Sequence, residues 1–507
     1  MYDIKLLDCT LRDGGYYTLW DFDGALIEEY CQLISNLPIE YIEIGYRSIE
    51  KPEYGGEFFY SPKATILKIK ESLKESQKIS LMINAKDCQD INFKVLLPFD
   101  KDLVKLIRIA VDFEKIDQGI EVAKSVKSLG FEVAVNIMYI SKIPENHIIY
   151  ERLKNIEKYV DYLYLVDSYG SMYPNELTKI IKKFKTYSKV RLGFHGHNNL
   201  ELAFINSLVA MEQGVTMIDS TVLGMGRGAG NLKLELLLAY LQSKEHTDVN
   251  LNNLSHLVEL FTPLQQQYKW GTSFPYMISG SYSFPQKDIM DAIEINRYSV
   301  TSLVNTMNKN DFLPLKPFVC NDVLASSLII GGGESICMHM DIIIQYIMAN
   351  PLLILIHSTS KYINKFSHVT NRQYFCVAGD ELTKLDDTLT YDFIEEFIFE
   401  PSPRKINIEL PQKKNYSELK FIQFIEKLHD SPLAISLQTV LDMSVNEVFL
   451  IGFDGYTKLN SAKTLYLMQE TQEIISSFYK NTNIKLISLT KTKYRDLIHK
   501  SIYSKDN

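Results

Sequence analysis

No two of the six cysteines (Cys9, Cys31, Cys88, Cys320, Cys337 and Cys376) are spaced as C-x-x-C. That argues against a thiolate zinc site and a disulfide framework, and it fits free thiols in a reducing cytoplasm. Excess basic charge is also missing. Lys and Arg number 54 against 62 Asp and Glu, a formal net charge of −8, so no nucleic-acid-binding surface of clustered cations is expected. Apolar runs such as "LLILI" at 352–356 are short, far below the roughly 20 residues of a membrane span. The segment "MYDIKLLDC" has no basic stretch ahead of an apolar one, so no secretory leader is expected. Low-complexity stretches are absent as well.

What remains is the composition of a globular protein, 46% apolar and 23% charged. At 507 residues the chain is too long for one ordinary core, so two or three domains are expected.

Up to about residue 240, β-like runs alternate with helical segments. The runs are "IKLLDCTL" (4–11), "YIEIGYR" (41–47), "ISLMIN" (79–84), "LVKLIRIAV" (103–111), "FEVAVNIMYI" (131–140), "YLYLVDS" (162–168), "VRLGFHGH" (190–197) and "TMIDSTV" (216–222). Strands separated by helices read as parallel βαβ units. Eight units in about 240 residues match a (β/α)8 TIM barrel. Nearly every run ends in polar residues that a core would not choose: Arg12/Asp13, Glu43, Asn84, Arg108, Asn136, Asp167, His195/His197 and Asp219. In a barrel the carboxyl ends of all strands open on one face, which carries the active site. Glu43, Arg108, Asn136 and Asp167 are therefore expected to meet substrate there. A doubly wound open sheet is the alternative, and it would spread these residues along a crevice.

The division expected is a barrel over 1–240, helices and loops packed beside it over 241–320, and a second α/β domain over 321–507, an open Rossmann-like sheet. Strands of that domain are expected in "SLIIGGGES" (327–335), "LLILIHSTS" (352–360), "RQYFCVAG" (372–379), "EVFLIGFDGY" (447–456) and "IKLISLTKT" (484–492). The polar stretch around 380–415 reads as loop or insertion.

The strongest chemical signal is "GFHGHNN". His195 and His197 are two apart at a strand end, so they point to the same side. Paired imidazoles make a ready set of metal ligands. Strands 1 and 7 of a closed barrel of eight are separated only by strand 8, so a carboxylate at the end of strand 1, Asp13, offers a third ligand. The glycine-rich "GMGRGAGN" after strand 8 ends in Asn231, whose amide offers a fourth oxygen or orients a water. Nitrogen and oxygen donors without thiolates suit Mn²⁺, Mg²⁺, Co²⁺ or Zn²⁺. Arg12 then sits beside the ion as a second fixed positive charge. A bland alternative has Arg12 and Asp13 as a local ion pair, with Gly14-Gly15 making the turn.

"DCTLRDG", "HGHNN" and "GMGRGAGN" in this order resemble the metal-dependent aldolase/Claisen superfamily of TIM barrels. That superfamily includes 4-hydroxy-2-oxovalerate aldolase, hydroxymethylglutaryl-CoA lyase and isopropylmalate synthase, and the likeness is greatest to the first. The resemblance implies that Asp13, His195 and His197 bind the metal, that Arg12 stabilises an enolate, and that Asn231 lies in or next to the coordination sphere. "VDSYGSMYP" (166–174) resembles the strand-6 segment of the same superfamily. One position departs: the aldolase branch carries a catalytic His three residues after the metal-binding Asp, where this chain has Tyr16. An ordinary phenol, with a pKa near 10, is a poor base at neutral pH. Tyr16, or alternatively Tyr17, remains able to donate a proton or hold a water.

In the second domain "LIIGGGES" lacks the third glycine of a dinucleotide loop, since position 336 is Ile. A glycine turn opening a helix still offers N–H groups to an anion, so Gly332, Gly333 and Asp454 are candidate ligands there. His357 and Asp454 read equally as a satisfied strand-end histidine and a loop cap. With "SPLAISLQTVLDMSVNEVFLIGFDGY", the region resembles bacterial sialyltransferase-like and pterin-pyrophosphokinase-like Rossmann domains found with surface-polysaccharide genes.

The resulting expectation is a cytoplasmic, homo-oligomeric, metal-dependent carbon–carbon lyase or aldolase that works through the enolate of a 2-oxo acid such as pyruvate, formed by cleavage of, or added to, an aldehyde or sugar derivative. The alternatives are a Claisen-type acyl-CoA synthase on the same barrel, or a nucleotide-sugar-binding glycosyltransferase with a retired barrel.

Overall fold

The structure, a computed structural model, describes residues 4–88, 102–285, 315–320, 326–386, 390–402, 414–456 and 462–505. It divides into two units, Met1–Ile289 and Met290–Asn507. Part of the extension expected over 241–320, residues 286–314, lies outside the described residues. Among the described residues no helix is long and apolar enough to cross a membrane.

In the first unit the eight apolar runs all form strands: β1 (Lys5–Asp8), β2 (Tyr41–Tyr46), β3 (Lys78–Asn84), β4 (Leu106–Asp112), β5 (Glu132–Met138), β6 (Tyr162–Asp167), β7 (Arg191–Gly196) and β8 (Met217–Ser220). They close into a parallel barrel, with β8 pairing back onto β1 (Leu7 against Asp219). This is a TIM barrel, and the open sheet is excluded. Side chains on a strand alternate between the two faces, and one set fills the barrel. Its lower part is apolar, built from Leu7, Tyr41, Leu106, Ala134, Tyr162, Tyr164 and Met217. The other set joins the surrounding helices in a larger core. Leu254, Leu257 and Phe261, from helix Leu251–Tyr268, and Trp270 just beyond it belong to that core.

Strand 1 ends earlier than the apolar run suggests. The Asp8 carboxylate accepts from the Thr10 amide at 3.0 Å and from its hydroxyl at 2.7 Å, a turn that competes with continued extension. A helix, Thr10–Thr18, follows at once and carries Arg12, Asp13 and both glycines. Gly14-Gly15 is therefore not a turn. It permits close packing: a Cβ on Gly14 would lie 2.6 Å from the Met225 sulfur, and one on Gly15 would overlap the Trp20 ring.

The second unit holds a nine-stranded sheet among the described residues, with every pairing parallel. Its strands are β9 (Lys316–Pro317), β10 (Ser326–Ile330), β11 (Ile354–His357), β12 (Gln373–Val377), β13 (Ile394–Phe399), β14 (Tyr416–Glu418), β15 (Glu447–Ile451), β16 (Leu486–Ser488) and β17 (Ile498–His499). The order is 17-16-15-10-11-12-13-14-9. The chain thus runs outward from β10 in one direction, then returns to the other side of β10 with β15. Strand β13 corrects the reading of 380–415 as loop or insertion. Its adjacent Glu395 and Glu396 hide the strand in the sequence, while Ile394 and Phe397–Phe399 are buried.

Candidate active site

Above the apolar floor the barrel interior turns ionic. Arg108 is fully buried and donates to Glu43 at 3.0 Å and to Asp219 at 2.5 Å. Its guanidinium lies over the Tyr164 ring, 4.1 Å from the centroid. Glu43 also accepts from Arg12 Nε at 2.7 Å. Burial disfavours charge, so such groups are tolerated only when they pair. Here Glu43 bridges two guanidiniums. Burial alone would raise the pKa of Asp219, but Arg108 and then His195 outweigh it and hold it below the usual carboxylate range.

This layer positions the groups above it. Asp219 takes the Nδ1–H of His195 at 2.9 Å, and the Asp167 carbonyl takes the Nδ1–H of His197 at 2.8 Å. Fixing one ring nitrogen this way leaves the other for a ligand. His195 Nε2 faces Asp13 Oδ2 at 3.7 Å, and the two rings are 5.0 Å apart. Burial, and then the neighbouring His195, lower the His197 pKa to about 3, so its ring is neutral. For Asp13, burial pushes the pKa up, but Arg12, His195 and His197 together bring it below the ordinary value.

Asn231 completes the set. Its amide N–H donates to Asp13 Oδ2 at 2.7 Å and to the Met225 carbonyl at 3.1 Å. Its buried Oδ1 has no hydrogen-bond partner among the described residues. The loop reaches this position through Gly230, whose φ of 77° suits glycine. Two imidazoles, a carboxylate and an orphaned amide oxygen fit a divalent cation. Cys9, His195 and Asp219 also have donor atoms within 4.8 Å of one another. That set fits less well, because Asp219 is already engaged by Arg108 and His195. Burial and then Asp13 also keep the Cys9 thiol protonated.

A cavity of about 380 Å³ opens over these groups, lined by Arg12, Asp13, Tyr16, Asn136, His195 and His197 among others. Of the residues expected to meet substrate, Asn136 lines it. Glu43 and Arg108 lie in the ionic layer, and Asp167 is tied to the Ser171 and Met172 amides at 3.1 and 3.2 Å. Burial raises the Asp167 pKa to about 6. Tyr16 faces the cavity and shares a 3.0 Å hydrogen bond with Tyr46, another lining residue. Tyr17 does not line the cavity. It packs beside Tyr268 and Trp270, and its hydroxyl accepts from the Gly228 amide at 3.0 Å. Three residues carry weight that the sequence reading did not give them: Asp219 behind His195, Tyr46 beside Tyr16, and Arg227, a lining residue 4.3 Å above the Tyr16 ring. An arginine inside a glycine-rich loop was the available signal for the last.

In the second unit, Gly331–Gly333 and Gly452–Asp454 meet at the carboxyl ends of β10 and β15, where Gly333 N–H donates to the Gly452 carbonyl at 2.8 Å. Asp454 accepts from the Ser335 amide at 2.8 Å and from the Ser335 hydroxyl. Lys361 donates to the Gly332 carbonyl at 2.8 Å. His357 is buried against Gln373 at 2.8 Å, and burial lowers its pKa to about 4. Asp454 therefore closes the turn. Asp454→Ala should cost about 1–3 kcal/mol of stability, since hydrogen bonds to a charged acceptor are lost. Urea unfolding measures this, and metal content should not change.

Comparison with known proteins agrees with the geometry. The HMGL-like family model matches residues 3–261. A 4-hydroxy-2-oxovalerate aldolase from Geobacillus thermodenitrificans is 30% identical over 271 residues, 52% of this chain and 77% of that protein. Another from Carboxydothermus hydrogenoformans is 29% identical over 259 residues, 50% of this chain and 76% of that one. The crystal structure of the N-terminal domain of a candidate aldolase from Bacteroides vulgatus is 44% identical, with a TM-score of 0.57, covering 59% of this chain and 99% of that one. With the barrel and these relatives in agreement, the chain belongs to the HMGL-like family of divalent-metal-dependent aldolases and carbon–carbon lyases.

Proposed function

We propose that the barrel forms the enolate of a 2-oxo acid such as pyruvate, and joins it to an aldehyde or releases it from the aldol. The observation that carries this reading is the free end of Arg12. Its Nε is held by Glu43 and one terminal nitrogen by Asp13, while the side chain still lines the cavity beside His195 and His197. Asp13, His195, His197 and Asn231 Oδ1 would hold a divalent ion, and such an ion would supply Lewis-acid polarisation of the carbonyl.

Arg12 then donates its remaining N–H groups to the oxygen on which charge develops. Glu43 fixes the guanidinium in advance, so little reorganisation is needed at the moment of reaction. The Tyr16–Tyr46 pair is placed to donate a proton to the oxygen that becomes the aldol hydroxyl. Burial, and then Tyr16, push the Tyr46 phenol up, so it keeps its proton at neutral pH.

The second unit is proposed as a Rossmann-like module that binds a sugar or nucleotide-linked sugar in surface-carbohydrate synthesis. The reversal of strand order at β10 and β15 supports this, because ligands of doubly wound sheets sit outside the carboxyl ends at such a point.

The test is proton exchange. The full-length protein, loaded with Mn²⁺ or Mg²⁺, should move solvent deuterium into the methyl group of pyruvate, read by NMR. Exchange no faster than with the metal salt alone would overturn the reading.

A further inference from the structure

The chain as a whole is acidic, with a formal net charge of −8, yet the barrel mouth is not. Arg12, Lys86, Lys115 and Arg227 line the cavity against the carboxylates of Asp13 and Asp112. A bound divalent cation would add to the positive side. Arg12 is ion-paired with Asp13 and Glu43 and its free end is already assigned to the enolate oxygen, and Asp112 caps a turn by accepting from the Glu114 amide at 3.0 Å. Among the described residues Arg227, Lys86 and Lys115 have no ion-pair partner. For two exposed lysines this is unremarkable. Arg227 differs: it is half-buried, and its guanidinium lies 4.3 Å from the centroid of the Tyr16 ring.

Position gives this charge its meaning. Tyr16 lies one helical turn after Arg12 and Asp13, so the three share a face of helix Thr10–Thr18. The Trp20 ring meets Tyr16 edge-on at 4.8 Å, and its indole N–H donates to the Arg12 carbonyl at 2.9 Å. Tyr16 is therefore held, and Arg227 is stacked against a fixed ring. Stacking orients a guanidinium while leaving its N–H edge free for a planar anion. Lys86 follows β3 and Lys115 follows β4, whereas Asp13 follows β1, His195 lies at the end of β7 and His197 follows it. The lysines thus stand across the mouth from the metal donors.

We propose that the acceptor aldehyde is itself an anion, carrying a phosphate or carboxylate away from its reacting carbonyl, and that Arg227 binds this group with support from Lys86 and Lys115. The proposal rests on the enolate reading above, and it assigns the specificity of that site for its second substrate. A cleft with an excess of positive charge also raises the encounter rate of an anionic substrate, an effect that falls with ionic strength.

The test is binding to the full-length, metal-loaded protein with oxalate present as a stand-in for the 2-oxo acid enolate. Glyceraldehyde 3-phosphate, succinic semialdehyde and neutral glyceraldehyde are compared by calorimetry. At least one anionic aldehyde should bind ten-fold or more tightly than glyceraldehyde, and which one does so separates phosphate from carboxylate. In Arg227→Leu the preferred anion should lose at least ten-fold more affinity than oxalate does. Arg227→Lys should recover part of that loss, and exposed Lys115→Ala should show a smaller one, growing at low salt. Equal binding of charged and neutral aldehydes, or no binding of any, overturns the proposal. So does an Arg227→Leu loss as large for oxalate as for the aldehyde, which would give Arg227 to the first substrate. Pyruvate exchange by the unmodified protein, measured alongside, shows separately whether the enolate reading itself has failed.

Discussion

His197→Ala is expected to empty the metal site and lower turnover by about 10³-fold while the protein stays folded. The Lewis-acid contribution of a bound cation is several kcal/mol, and each 1.4 kcal/mol is ten-fold in rate. Folding is spared because the barrel core is apolar and lies elsewhere. His197 is the cleaner of the two histidines to remove. Its Nδ1 partner is a backbone carbonyl, the Asp167 oxygen at 2.8 Å, so no charged group is stranded. His195→Ala would take a partner from Asp219, leaving Arg108 to hold that carboxylate alone. A related, weaker effect is expected for Asp219→Asn, which loses the acceptor that orients His195. Partners behind a ligand typically contribute about 10–100-fold in metal affinity. Metal analysis after dialysis, with circular dichroism for the fold, gives the answer. Full occupancy in a protein lacking both histidines would remove the donor set from consideration.

Much of this site could be read from the sequence, because its strongest signals are local. His195 and His197 share a strand end, and the Arg12-Asp13 pair follows an apolar run. Closure of the barrel brings β1 next to β8, and so within one strand of β7. Depth along a strand was harder to read. Glu43 lies mid-strand in Tyr41–Tyr46 and Arg108 is third in Leu106–Asp112, so both fall beneath the cavity. Asn136, nearer the end of Glu132–Met138, reaches it. A boundary shift of two residues keeps the face but moves a side chain between layers, and apolar runs do not fix boundaries that finely. Arg227 was hidden for a different reason. A glycine-rich loop has no periodicity, so nothing in its spacing says where its one charged side chain points. Strand β13 was lost because the alternation that marks strands is broken by Glu395-Glu396.

Arg12→Lys is expected to lower kcat by about 10²–10³-fold, the usual consequence of losing one preorganised donor to a developing oxyanion. Formal charge is preserved, so a purely ionic role for Arg12 predicts little change. Geometry makes the difference. Arg12 holds Glu43 through Nε at 2.7 Å and Asp13 through one terminal nitrogen, and it reaches the cavity with what remains. An ammonium is a single point with no planar fork, so it cannot hold both carboxylates and present a directed donor beyond them. The loss should fall on kcat with little change in KM, since the interaction strengthens only as charge appears on the substrate oxygen. Metal content should stay close to that of the unmodified protein, because Asp13, His195, His197 and Asn231 are all retained. Pyruvate deuterium exchange should fall in parallel with turnover, since both require the enolate. A lysine variant with near-normal exchange would reduce Arg12 to the ion-pair partner of Asp13 and Glu43. One that loses its metal would show instead that Arg12 serves chiefly to hold Asp13 in place.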